Sequence, residues 1–200
     1  ATPRCRIQKY DESDGLTQWH VTQMTQDRQG MMWFSTWNGL CRYDGYEFQG
    51  FKGHVGDGNE IATDRIRTVW LNDDGNIGCR VDDDLYLFNL HTYRFETRPG
   101  LQSNRNNAKS VKSDRPYRYK DKDGVLWTVY YDGKLTYSTD GTTENPYEGR
   151  VKMESARFCL PDRQGNLWVA GVNGIYKICF LHRYGNVERF GQSTEVKAFF

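Results

Sequence analysis

Asp27-Arg-Gln-Gly30-Met-Met-Trp33 returns three times along the chain, as Asn72-Asp-Asp-Gly75-Asn-Ile-Gly78, Asp121-Lys-Asp-Gly124-Val-Leu-Trp127 and Asp162-Arg-Gln-Gly165-Asn-Leu-Trp168. Each copy holds Asp or Asn three residues before a glycine, and three of the four hold Trp three residues after it. The glycines lie 45, 49 and 41 residues apart, the spacing of propeller blades rather than of leucine-rich, ankyrin or tetratricopeptide repeats. Nine residues beyond each of them stands a second turn former: Gly39, Asp84, Gly133 and Gly174.

Asp-x-x-Gly is a tight turn in which the side-chain oxygen bonds backbone amides ahead of it and glycine supplies a positive φ. Short alternating runs flank it. Val21-Thr-Gln-Met-Thr-Gln26, Ile66-Arg-Thr-Val-Trp-Leu71 and residues 156–160 read as first strands, and 31–36, 126–130 and 167–170 as second strands. Third strands follow the second turn at 40–43, 85–88, 135–137 and 175–178. Fourth-strand candidates are 46–48, 93–95 and 187–190, with none evident in the third unit. Four antiparallel strands per repeat make a β-propeller blade, whose faces are buried only against neighbouring blades. The expected fold is all-β: a partial β-propeller of about four four-stranded blades, near 15–58, 61–100, 115–150 and 151–192, with 195–200 as the first strand of a fifth. Trp33, Trp127 and Trp168 then fill the space between blades.

Composition agrees. Aromatics make up 14% of the 200 residues, with 13 Tyr, 10 Phe and 6 Trp beside 20 Gly, which favours strands over helices. Lys and Arg number 27 against 26 Asp and Glu, a net +1, so no global field points to nucleic acid or an anionic membrane surface. No apolar run approaches the ~20 residues of a membrane-spanning helix, and no secretion signal stands at Ala1. Cys5, Cys41, Cys79, Cys159 and Cys179 never form Cys-x-x-Cys and read as small buried hydrophobes.

Gly15-Leu16, Gln26-Asp-Arg-Gln-Gly-Met-Met-Trp33, Ser35-Thr-Trp-Asn-Gly-Leu40 and Arg42-Tyr-Asp-Gly45 together resemble the two-component regulator propeller repeat. The fourth unit matches through Asp162, Gly165, Trp168, Gly171 and Asn173-Gly174. The second departs with Gly78 in place of Trp, and the third lacks the Asn of the second turn. The resemblance covers about residues 5–200. It implies the N-terminal part of a periplasmic sensor region, with histidine kinase activity in a cytoplasmic part not contained in these residues. It further implies recognition of oligosaccharides that switches on polysaccharide-utilisation genes, without enzymatic activity or a cofactor in this segment. A protein-binding propeller scaffold and a propeller lyase or hydrolase are the competing readings.

Enzyme signals are weak. Asp82-Asp83-Asp84 reads as a solvated hairpin tip, and Asp57 and Glu60 flank a Gly-rich linker. His20, His54, His91 and His182 stand alone, and neither a nucleophile elbow nor a phosphate loop occurs. Sugars are held by aromatic faces and planar polar groups. In a propeller the innermost strand and the loop leading into it line the central funnel. That selects Gln18, Trp19 and His20 before the first blade, Asp64, Arg65 and Arg67 at the second, Tyr117 and Arg118 at the third and Arg157 at the fourth. Trp37, just before the Asn38-Gly39 turn, is a further ligand-binding candidate. No metal site is expected. Residues 98–116 read as a long mobile connection between blades. An open arc of blades exposes apolar end faces, which predicts self-association.

Overall fold

The computed structural model describes residues 2–182 apart from 54, 55 and 57. His54, Asp57, 187–190 and 195–200 therefore lie outside the described residues. The chain opens on β1 (Arg4–Tyr10), followed by a 3-10 turn at Glu12–Asp14. Blade one comprises β2 (Val21–Gln26), β3 (Met32–Thr36), β4 (Gly39–Tyr43) and β5 (Phe48–Phe51). Blade two comprises β6 (Ile66–Leu71), β7 (Ile77–Val81), β8 (Asp84–Asn89) and β9 (Arg94–Glu96). After β10 (Lys109–Ser110), blade three is β11 (Tyr117–Lys120), β12 (Leu126–Val129), β13 (Leu135–Ser138) and β14 (Asn145–Pro146). Blade four contains β15 (Phe158–Pro161), β16 (Asn166–Gly171) and β17 (Gly174–Leu181). Three sheets run in chain order, and the fourth is ordered β1-β17-β16-β15-β10. The fold is an all-β partial propeller, and no sheet among the described residues closes on itself.

One local device recurs in three blades. Asp27 accepts the amides of Gln29 and Met31 on one oxygen, both at 2.9 Å, and the Trp33 indole Nε1–H on the other at 2.8 Å. Asp121 does the same with Asp123, Val125 and Trp127, and Asp162 with Gln164, Asn166 and Trp168. The turn carboxylate thus fixes both the hairpin and the rotamer of the indole that packs between blades. Blade two, where Gly78 replaces the tryptophan, fills the volume from the inner strand. Trp70 lies across Gly78, where an added Cβ would fall 2.1 Å from the indole. Its Nε1 is buried with no partner, so blade two keeps the ring without the clamp.

These indoles sit in three interfaces. Trp33 and Leu40 pack on Ile66, Ile77 and Phe88, joining blades one and two. Trp168 and Ala170 pack on Met24 and Phe34, joining four and one. Trp127 and Leu135 pack on Leu167 and Ile178, joining three and four. The spatial order is therefore two, one, four, three. Blade four meets blade one because β1 forms its outermost strand, in register Arg4↔Leu181 to Tyr10↔Ile175, and carries Tyr10 onto Tyr43, Phe48 and Trp168. The position beside β17 is thus taken by a strand from the other end of the chain.

The segment read as a mobile connection is built into the structure. Asn106 bonds both the N–H and the C=O of Leu71, at 2.8 and 2.6 Å, and its own carbonyl accepts the Thr25 hydroxyl. Ala108 donates to the Met24 carbonyl, β10 pairs with β15, and Val111 donates to the Arg157 carbonyl. Residues 106–111 thus climb the inner edges of blades two, one and four. Backbone groups left free on inner strands need partners when buried, and this stretch provides them. On blade three Arg118, Thr128 and Thr136, then Lys120, Leu126 and Ser138, share the face away from blade four, where Thr128, Thr136 and Ser138 are buried. On blade two the outward Trp70 and Leu87 are fully buried. At these positions the two end faces present polar or covered side chains.

Cys5, Cys41, Cys79 and Cys159 are buried thiols in strands. Burial pushes Cys5 up to about 12 and Cys41 to about 11, so both are unreactive at neutral pH.

The clamp gives a differential prediction. Trp33→Phe and Trp70→Phe shrink equally buried rings, but only the first deprives a buried carboxylate of a donor. Urea unfolding should show Trp33→Phe costing roughly 1.5–3 kcal/mol more than Trp70→Phe. Equal losses would show that the indole bond carries no weight.

Candidate functional site

The blades have two ends. At one, the lower face, lie the Asp-x-x-Gly turns. At the other, the upper face, the chain enters each inner strand and turns from the second strand into the third. Register places Val21 beside Thr36, Ile66 beside Val81, Tyr117 beside Val129 and Phe158 beside Ala170 at this upper end. Six large hydrophobic residues are exposed among those described, and four of them are here: Trp19 (41%), Trp37 (45%), Tyr131 (50%) and Val172 (45%). Interior packing does not require them, which makes this face the candidate site.

Its centre is a stack. The His20 ring lies 4.1 Å from Trp37, tilted 35°, and 5.6 Å edge-on to Trp19. Gln18 accepts the His20 amide at 2.8 Å and shapes the loop. The Trp37-Asn38-Gly39 turn is pinned from blade two, because Gly39 donates to the Asp64 carbonyl at 2.7 Å. Gly39 has φ +96°, and a Cβ there would meet the Phe51 carbonyl at 2.4 Å, so glycine is required. Arg157 stands at the junction of blades four and one. Its guanidinium donates to the Val21 carbonyl at 2.6 Å and twice to the Gly171 carbonyl, at 3.1 and 3.0 Å, over the ring of Phe158. His20 and Tyr131 both lie within its electrostatic reach.

The structure therefore brings Trp19, His20, Trp37 and Arg157 together. Arg157 holds the junction with its guanidinium, so its main role is positioning rather than direct contact. Arg65 is exposed at the start of blade two, its amide bonded to Thr63 Oγ1. Arg67 occupies a register shift in β6 and pairs with Asp82 at 3.3 Å. Both halves of that pair are exposed, which makes it worth little. Tyr117 does not face a funnel. It packs on the interface of blades three and four, and burial pushes its phenol up to about 12. Arg118 projects from the outward face of blade three, in the rung of Thr128 and Thr136. The funnel that motivated these choices is occupied along its axis by 106–111.

Tyr131 and Val172 escaped the sequence reading, yet the repeat carried the signal. Trp37, Asp82, Tyr131 and Val172 share one position, two residues before the second turn former of each blade. A second feature also went unread: Lys112 and Arg115 exchange backbone bonds in a tight turn at the upper end of the axial segment. Asp82-Asp83 is the solvent-facing tip of the β7–β8 hairpin.

Burial first, and the Arg157 charge second, push His20 below the ordinary imidazole value. The unfolded chain therefore takes up the proton more readily. This group's contribution to stability is complete above about pH 6.5 and is lost as pH falls below it. An NMR titration should place the His20 midpoint below 6.5, and Arg157→Met should raise it. A midpoint at or above 6.5 would contradict the stacked, Arg157-adjacent placement.

No curated protein sequence matches the chain. The extracellular domain assigned to a hybrid two component system of B. thetaiotaomicron aligns at 19% identity over 89% of this chain and 30% of its own, with a TM-score of 0.41. A second such domain from that organism aligns at 18% identity over 86% and 26%, with a TM-score of 0.37. Virginiamycin B lyase from Staphylococcus aureus aligns at 14% identity over 84% and 54%, with a TM-score of 0.35. The chain spans less than a third of the length of the two extracellular domains. The two component regulator propeller family matches residues 17–38, the stretch that holds Trp19, His20, Trp37 and the Asp27–Trp33 clamp.

Proposed function

We propose that the chain is a non-enzymatic, extracytoplasmic sensing part of a two-component regulator, and that its upper face recognises an oligosaccharide. The observation carrying this reading is the set of exposed rings, Trp19, Trp37 and Tyr131, grouped around His20 and Arg157 on one face. Sugar rings present C–H patches to aromatic faces and hydroxyls to planar polar groups. Here the aromatic surfaces are held by loops pinned to their neighbours, so little ordering entropy is lost on binding. The family match at 17–38 supports the signalling context.

A second reading, a protein-docking face, is favoured by one specific observation. The axial segment 106–111 occupies the inner edge that a funnel-binding ligand would use, and it leaves the recognition surface shallow.

Calorimetry against neutral, acidic and sulfated oligosaccharides separates the two. The sugar reading predicts a raised melting temperature with one class, because a ligand of the native state must stabilise it. It also predicts at least tenfold weaker binding in Trp37→Ala and Tyr131→Ala, with little change in unliganded stability. No binding to a folded chain would transfer the face to a protein partner.

A further inference from the structure

At the lower end of the interface between blades one and two, an aromatic column runs from the core to the surface. Buried Trp33 meets Phe51 at 5.6 Å, and Phe51 meets Tyr93 at 5.3 Å with the rings 15° from parallel. The outer part of the Tyr93 ring is open to solvent. Tyr93 has φ +56°, a left-handed conformation that costs a bulky L-residue on the order of 1–2 kcal/mol. The surrounding turn enforces it. Tyr93 N–H bonds the Asn89 carbonyl at 2.7 Å, Asn89 Oδ1 caps His91 and Thr92, and Asn76 Oδ1 accepts the amide of Leu90. Glycine would sit there without strain, yet an exposed aromatic ring is held there instead.

Arg42 completes the arrangement. Its guanidinium lies 5.6 Å from the Tyr93 ring centre and donates to the Tyr93 hydroxyl at 3.0 Å and to Gln49 Oε1 at 2.6 Å. Both partners are neutral, and it forms no salt bridge among the described residues. Asp44 is close enough to feel its charge but spends one oxygen on the amides of Tyr46 and Glu47. Because the Tyr93 oxygen accepts from Arg42, its own proton is free to point outward to an acceptor. A cleft beside the ring is lined by Arg28, Met31, Arg42, Asn76, His91 and Tyr93. Its one unclamped carboxylate, Asp74, is bound by Arg98 at 2.6 Å. Burial, which opposes ionisation, is outweighed there by hydrogen bonds from Asn72, Arg98 and Asn76, so Asp74 stays charged and committed. The cleft thus offers a flat ring, an outward hydroxyl donor and the Arg42 guanidinium, which neither carboxylate of the lining pairs: Asp74 is bound by Arg98, and both oxygens of Asp27 are taken by the Gln29 and Met31 amides and the Trp33 indole.

We propose that this lower-rim cleft is a second binding site, separate from the upper face, for a pyranose ring bearing an anionic substituent, carboxylate or sulfate. The ring stacks on Tyr93, and the anion takes the remaining Nη–H groups of Arg42 and the Tyr93 hydroxyl, the Arg42 Nε being buried. The assignment of a sugar rests on the function proposed above, whereas the anionic preference rests on the cleft.

Titration calorimetry with glucuronate, glucose 6-sulfate and glucose tests the site in the intact chain and in Tyr93→Gly, Arg42→Gln and Trp37→Ala. Tyr93→Gly removes the ring while relieving the backbone strain, and a thermal melt checks that it folds. The expected result is at least tenfold tighter binding of one or both anionic sugars than of glucose. Tyr93→Gly and Arg42→Gln should lose tenfold or more, and Trp37→Ala should be unchanged. The relative affinities of glucuronate and glucose 6-sulfate identify the anion. Absence of saturable binding, equal affinity for glucose, or binding indifferent to Tyr93→Gly would overturn the proposal. Failure of the upper-face reading appears separately, as oligosaccharide binding unaffected by Trp37→Ala.

Discussion

The bond from a turn carboxylate to a tryptophan indole is the interaction on which the remaining architecture depends. One aspartate closes a hairpin through two backbone amides and, with its second oxygen, fixes the ring that fills the space between blades. Hydrogen bonds to a charged acceptor contribute about 1.5–3 kcal/mol each, and a buried acceptor stripped of them costs as much again. Local and global structure are thereby tied to one side chain in three blades: the carboxylate that closes the hairpin also aims the indole at the neighbouring blade. Blade two shows what happens when the motif lapses. Trp70 supplies the volume over Gly78, but its N–H finds no partner.

Order among the blades follows from a different constraint. Sheets stacked face to face leave backbone groups unpaired at both edges, and here the chain uses its own segments to cover two of them in blade four. β1 takes the outer edge and β10 the inner, so the blade built last in sequence sits beside the first. Arg157 fastens the same junction from above, binding carbonyls of both blades while its own carbonyl receives Val111 of the axial segment. The upper-face stack of His20 on Trp37 is adjacent to this seam, so ligand contact there would bear directly on the contact between first and last blades.

Much of this was legible in the residues. The Asp-x-x-Gly-x-x-Trp spacing marks both hairpin and interblade ring, and the second turn former nine residues on locates the upper face. Trp19 and His20 are selected by the loop leading into the first inner strand and Trp37 by the second turn, and all three lie on the upper face. The misreadings have physical causes. Tyr117 was placed by its sequence position on an inner strand, but its side chain alternates toward the core formed with blade four. Residues 98–116 lack periodicity because an axial strand bonded through its backbone and the Asn106 amide needs no alternating apolar pattern. β1 was overlooked because an edge strand of alternating Arg, Cys, Arg and Ile carries no repeat signature. Strain at Tyr93 is likewise invisible in sequence, since φ is not a property of composition.

The placement of oligosaccharide recognition on the exposed rings of the upper face, rather than in a funnel, depends on the propeller axis being filled. Amide hydrogen exchange of residues 106–111, measured beside the core strands β2 and β15, tests it directly. A filled axis predicts that Ala108 and Val111, bonded to the Met24 and Arg157 carbonyls, exchange as slowly as the strands they pair with. Exchange of this segment at the rate of an exposed loop would contradict it and return the funnel to the inner strands.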